Sequence, residues 1–240
     1  MIFKNNKKVP TGSVLKLFKV VRYKDLSLYN PQAIKNAIKL SIDSFFEDSV
    51  FDCIELNYGV KTYKKLTVFL EQINGVSGDL EICDLIISSK EKANKILYSN
   101  SLLNQVHQEG AGVIEFDICS GHNDISKDKA YAFIKALLEI FPIDYGYVLP
   151  LEKGMDVRSE RIVKSSFWGS SVSVTKEDIL RRDGLLNLND GFLPKLYPIN
   201  ILNQSQFDNI ENGKTPVESI TEIDGNLKLV VINNILVRNH

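Results

Sequence analysis

The chain has 240 residues, of which 44% are apolar and 9% aromatic, with 29 basic against 30 acidic side chains. That mixture supports a packed core and excludes a disordered chain, and the balanced charge removes any global field that would draw the protein onto nucleic acid or anionic lipid. No apolar run reaches the ~18–20 residues that cross a bilayer, the start lacks the apolar core of a signal peptide, and Cys53, Cys83 and Cys119 form neither a disulfide framework nor a zinc pattern. A soluble, cytoplasmic protein with reduced thiols is the expectation.

In chain order, Ser13 to Tyr23 is rich in β-branched and aromatic residues and is predicted as a strand. Asn30-Pro31 offers an N-cap followed by proline at the first helical position, and Ile34, Ile38, Ile42 and Phe45 recur at helical spacing behind it. A short strand over Phe51–Leu56 follows, then a helix marked by Tyr63, Leu66, Leu70 and Ile73. Leu80 to Ile87 is predicted as a strand and Lys90 to Tyr98 as a polar helix or exposed connection. Gly112 to Cys119 alternates apolar with polar residues, the mark of a half-buried strand. Ser126 caps a third helix carrying Ala130, Phe133, Ile134, Leu137 and Leu138, and Tyr145 to Leu149 returns as a strand.

Beyond Leu151 the chain is divided by glycine and proline into short pieces, so a loop-rich C-terminal third is expected, with strands near Arg161–Val163 and Ser171–Val174 and a short helix over Thr175–Arg182. Leu193 to Leu202 reads as an extended apolar segment that packs across the domain rather than forming a sheet centre. Asp224-Gly225-Asn226 between two apolar segments signals a hairpin. The element order predicts one α+β domain over residues 1–240, with a mixed or mostly antiparallel sheet and about three helices on one face. The change near Leu151 admits a second subdomain.

The densest chemistry lies in Glu115-Phe116-Asp117-Ile118-Cys119-Ser120-Gly121-His122. Period two sets Glu115, Asp117 and Cys119 on one side of the strand, and His122 follows in the loop. Two carboxylates held close would raise one pKa and supply an acid beside a base, with His122 as proton relay or metal partner, which defines a metal-assisted hydrolase or nuclease as one alternative. The competing reading makes Glu115 and Asp117 the solvent face of an amphipathic strand. Cys119 with His122 is a thiol–imidazole pair by spacing alone. Lys4, Lys7, Lys8, Lys16, Lys19, Arg22 and Lys24 all precede the first acidic residue, Asp25, and define a second alternative, a nucleic-acid accessory protein. Neither phosphate-binding glycine loop, nor HExxH, nor GxSxG occurs, so no cofactor or metal is expected.

The single tryptophan, Trp168, lies beside Phe167 among small residues; it reads either as a core filler or, with Phe167, as a candidate binding anchor. Tyr145-Gly146, Gly191 and Tyr197-Pro198-Ile199-Asn200-Ile201-Leu202 resemble features of poorly characterised bacterial α+β proteins, some of which are similar to immunity partners of secreted toxins. That resemblance implies a protein partner, a toxin or effector, and a stoichiometric inhibitor that covers it with acidic and aromatic anchors. No catalytic residue carries over from it.

Overall fold

The computed structural model describes residues 12–47, 49–73, 82–91, 93–101, 111–152, 154–158, 160–162, 164–166, 169–171, 184–212 and 215–232. The chain begins with strand β1 (Gly12–Val21), a 3-10 helix over Tyr23–Tyr29, helix α1 (Pro31–Phe45), strands β2 (Phe51–Leu56) and β3 (Lys61–Tyr63), and helix α2 (Leu66–Gln72). Strands β4 (Asp84–Ser89), β5 (Lys95–Asn100) and β6 (Gly112–Ser120) precede helix α3 (Lys127–Leu138) and strand β7 (Tyr145–Leu151). Four short strands follow: β8 (Met155–Asp156), β9 (Arg161–Ile162), β10 (Lys164–Ser166) and β11 (Gly169–Ser171). A second 3-10 helix over Leu185–Asp190 leads to β12 (Ile199–Asn203), helix α4 (Gln204–Asn212), β13 (Val217–Glu222) and β14 (Leu227–Ile232).

Ten strands form one sheet in the order β13-β14-β12-β7-β1-β6-β5-β4-β2-β3. Each neighbouring pair is antiparallel. β6 and β7 flank β1, so the β6–α3–β7 unit crosses over the first strand, and residues after Leu151 supply β12, β13 and β14 to the same sheet. The architecture is α+β and sheet-dominated, with more helical pieces than the sequence suggests.

Both cap signals operate. The Asn30 side chain accepts from the Ala33 N–H behind Pro31, and Ser126 Oγ accepts from the Lys129 N–H, satisfying donors that a helix start leaves open. α1, α2 and α3 cover one face of the sheet, where Ile34, Ile38, Phe69, Phe133 and Leu137 pack against Leu15, Leu17, Phe116 and Ile118. On the opposite face Val14, Phe18, Leu97, Tyr145 and Tyr147 pack under Val157, Leu185, Leu188, Tyr197, Phe207 and Ile210. α4 therefore lies on the face away from the other three helices.

Three expectations are corrected. Lys95 to Asn100 is strand β5, because Ile96, Leu97 and Tyr98 are all buried between two strands whose pairing is set at long range. Ile199–Asn203 is an internal strand between β14 and β7, with Ile201 and Leu202 fully buried, since Pro198 lies just outside the ladder and costs it no hydrogen bond. The helix expected from Tyr63 starts at Leu66, because Tyr63 ends β3 opposite Ile54. The helix expected over Thr175–Arg182 lies outside the described residues, as do Phe167 and Trp168.

Candidate functional site

The register lines up one row of side chains on the face opposite α1–α3. Asp117 of β6 pairs with Lys16 of β1, Lys16 with Tyr147 of β7, and Tyr147 with Asn200 of β12. Two residues further along, Ser99 pairs with both Asp84 and Glu115, and Glu115 with Phe18. Glu115 and Asp117 do share a side, as period two requires. That side is not a solvent face, however: Met155, Val157, Arg158, Glu160 and Tyr197 lie over it, and Asp117 is buried.

Lys16 is 0% exposed and its ammonium has three acceptors: Glu115 Oε1 at 2.5 Å, Asp117 Oδ2 at 3.0 Å and the Val157 carbonyl at 3.0 Å. An ammonium has three donors, so the group is saturated. Burial alone would lower the Lys16 pKa, but the carboxylates of Asp117, Glu115 and Glu160 outweigh it and hold the group above the usual lysine range. Asp117 moves up as well, to about 8, because burial and the neighbouring Glu115 charge outweigh the attraction of Lys16. Its Oδ1 has no hydrogen-bond partner and is the oxygen open to a proton.

Next to this centre, the Glu160 carboxylate accepts from the hydroxyl of Tyr147 and, at 2.5 Å, from that of Tyr197. The two tyrosine rings stack with centroids 3.9 Å apart and planes 5° from parallel. Glu160 has φ +56°, a left-handed conformation that costs a non-glycine residue roughly 1–2 kcal/mol and is retained here against those two hydroxyls. Arg158 donates to Asp84 Oδ1 at 2.5 Å, and Asp84 is buried at the start of β4. Asn200 takes the Tyr197 N–H at 2.9 Å and returns a hydrogen bond to the Tyr197 carbonyl.

These contacts share one geometry. Val157, Arg158 and Glu160 belong to a single short segment, and each is fastened to a different strand of the sheet, by Lys16, Asp84 and Tyr147 in turn. Tyr197 closes the same seam from the other side through Glu160 and Asn200. The polar row is thus a set of latches that holds a cover onto the sheet. Above it remains a cleft of about 390 Å³, lined by Leu149, Pro150, Met155, Glu160, Lys195 and Tyr197 among others.

The structure brings Glu115 and Asp117 together on Lys16 and leaves His122 apart. His122 lies past the end of β6, 65% exposed, with Nε2 3.7 Å from Glu91, beside a separate cleft of about 280 Å³ that Ser49 and Asn94 also line. Among the described residues, no three His, Cys, Asp or Glu side chains are grouped to hold a metal ion. Cys119 is buried, with burial pushing its thiol up to about 11, so it carries no thiolate to pair with an exposed imidazole. Of the basic N-terminal residues, Lys16 is buried and Lys19 is bound to Asp144 at 2.6 Å, which removes both from any phosphate-binding surface; Lys4, Lys7 and Lys8 lie outside the described residues.

Sequence reasoning missed Lys16, Asp84, Tyr147, Glu160 and Asn200 as partners. Lys16 does carry a signal: its same-face neighbours, Val14 and Phe18, are both apolar, so the lysine points into a covered face. Of the residues on which the sequence resemblance rests, Gly146, Tyr197 and Asn200 belong to the seam, whereas Gly191 ends the 3-10 helix over Leu185–Asp190 and accepts from Asn209. A side chain at Gly146 would meet Leu17 Cδ2 and the Lys16 carbonyl at 2.7 Å, while Tyr197 and Asn200 form the latch just described.

Among the described residues no helix is long and apolar enough to cross a membrane. No family model matches the chain, and no curated protein matches it. Among solved structures it is similar to the Pseudomonas aeruginosa T6SS protein PA0821, with a TM-score of 0.48 and 7% identity; the match covers 91% of this chain, which spans 65% of that one.

Proposed function

We propose that this protein is a protein-binding module, a stoichiometric inhibitor of the toxin- or effector-neutralising kind, that acts through its surface. The observation that carries this reading is the β2–β3 hairpin, which presents Tyr58 at 63% and Val60 at 76% exposure. Tyr58 and Val60 are an aromatic and a β-branched residue two positions apart in one turn, both exposed, and a partner that covers the turn would bury them as anchors. The turn is also tied to the sheet. Asn57 and Tyr58 have φ +50° and +58°, and the Asn57 side chain accepts from the backbone N–H groups of Cys83 and Asp84, bolting the turn to β4. A pre-ordered aromatic anchor binds with little loss of conformational entropy.

The chemistry-bearing groups support the same reading from the other direction. Lys16, Glu115 and Asp117 are engaged with one another, and Lys16 with the Val157 carbonyl, which supports a reading in which their charges serve the fold. Phe167 and Trp168 are proposed as a second contact.

The test is recovery of a partner on tagged protein from native lysate, comparing wild type with the Tyr58→Ser, Val60→Ser double variant. A single stoichiometric protein partner on the wild type, lost from the double variant at unchanged melting temperature, is the expected result. A partner retained by the double variant moves the surface elsewhere. Turnover of a substrate, abolished by Asp117→Ala in a folded protein, would replace the binding reading with an enzymatic one.

A further inference from the structure

The sheet ends in two edges of different character. β3 has three residues and carries exposed Lys61, the short charged edge that keeps strands from pairing further. β13 has six. A bulge between Val217 and Ser219 disturbs its start, after which Ser219–Glu222 pair regularly with β14. Among the described residues no strand lies outside it. Along this edge Glu218 and Glu222 are exposed, and between them Ile220 is 48% exposed. An apolar β-branched residue in the middle of an open edge invites a strand, where a lysine or proline would repel one.

Ile220 also pairs with Val230, which pairs with Asn200, so it ends the same row that contains Tyr147, Lys16 and Asp117. On the helix side of β13 the Lys127 ammonium donates to Ser219 Oγ at 3.1 Å, which anchors the strand against α3. The edge is therefore a fixed template.

We propose that β13 is a strand-addition site for an extended segment of another protein, one apolar residue flanked two positions away on each side by Lys or Arg. Charge decides the occupant. A second copy of this chain, paired antiparallel about Ile220, would bring Glu218 against Glu222 twice, and a parallel copy would set each glutamate against its counterpart; like charges across a ladder destabilise it. A basic–apolar–basic strand turns both repulsions into attractions while Ile220 meets an apolar side chain, with backbone hydrogen bonds supplying the pairing. This edge is at the opposite end of the sheet from the Tyr58 hairpin, and the two surfaces stand or fall separately.

The experiment uses the full chain and a fluorescent, end-blocked peptide, Thr-Lys-Thr-Val-Thr-Lys-Thr, read by anisotropy. Binding that weakens as salt rises is expected, with the Glu-for-Lys peptide about tenfold weaker. The Glu218→Lys, Glu222→Lys double variant should invert that preference, Ile220→Ser should weaken both peptides, and N-methylation of alternate peptide amides should abolish binding. Three results would overturn the proposal: no binding of the Lys peptide at millimolar concentration, equal binding of the two peptides, or binding indifferent to N-methylation. Concentration-dependent dimerisation of the wild type that Ile220→Ser removes would overturn the choice of occupant.

Discussion

Where α1 and α3 lie on the sheet, contact is made by Ile34, Ile38, Phe133, Ile134 and Leu137 against Leu17, Phe116 and Ile118, all apolar. The same strands meet their cover on the other face through Lys16, Asp117, Tyr147 and Asn200 as well as through apolar side chains. The difference is one of specification. Apolar contact holds a helix in place by area and shape and tolerates many partners of similar volume. A buried ammonium with three acceptors tolerates one geometry, so the polar face fixes where Val157, Arg158 and Glu160 sit on the sheet.

The largest expected effect tests that contrast directly. At pH above about 8, where Asp117 carries its charge, Lys16→Met leaves Glu115 and Asp117 facing each other under the cover, and removing one partner of a buried ion pair costs about 3–5 kcal/mol. Phe133→Ala on the helix face costs a similar amount, about 3–5 kcal/mol, for a different reason: a cavity. Urea unfolding separates the two causes in a second round. Adding Asp117→Leu to Lys16→Met should restore most of the loss, since the unpaired buried carboxylate goes with it. A Lys16→Met variant within about 1 kcal/mol of wild type would show that the ion pair does not hold this face.

The next effect distinguishes the faces by pH. Burial and Glu115 push Asp117 up to about 8 from 3.8 in a free chain. Below 3.8 folded and unfolded forms are both protonated, and this contribution to stability is fully present. As pH rises from 3.8 to about 8 the unfolded form has lost its proton and the folded form keeps it, so the contribution is progressively lost. Stability should fall with rising pH across that window by at most about 1.4 kcal/mol per pH unit from this group. Asp117→Asn removes the titrating group and should flatten that part of the curve. Equal slopes for wild type and Asp117→Asn would place the proton elsewhere.

What could be read in the sequence follows the same division. α1, α3, β2 and β6 were legible because their signals are local: a cap residue, a helical period, an alternation within a few positions. β5 was not, since the polar residues Lys90, Glu91 and Asn94 before it lie between strands and only pairing with β4 and β6 makes Ile96–Tyr98 a strand. The shared side of Glu115 and Asp117 was legible from period two. Their partner was not, because Lys16 is 101 positions from Asp117 and comes opposite it only through the β1–β6 register. Charge counting along the chain only groups that lysine with the basic N-terminal stretch. The hairpin at Asp224 was legible for a related reason: Asp224 Oδ1 accepts from the N–H groups of Asn226 and Leu227, so the aspartate itself makes the turn.

The smallest effect belongs to the most local signal. Asn30 and Ser126 each satisfy a single N–H at a helix start on the apolar face, and Asn30→Ala or Ser126→Ala should each cost about 1 kcal/mol in thermal or urea unfolding. Neither cap touches the cover, so amide exchange in residues 155–158 should rise only as far as global stability falls. Lys16→Met, by contrast, should release those amides beyond its global cost, because it unlatches that segment first. Finding the cap variants equally able to expose residues 155–158 would mean that the cover and the helix face open together, and that the polar latches add no local stability of their own.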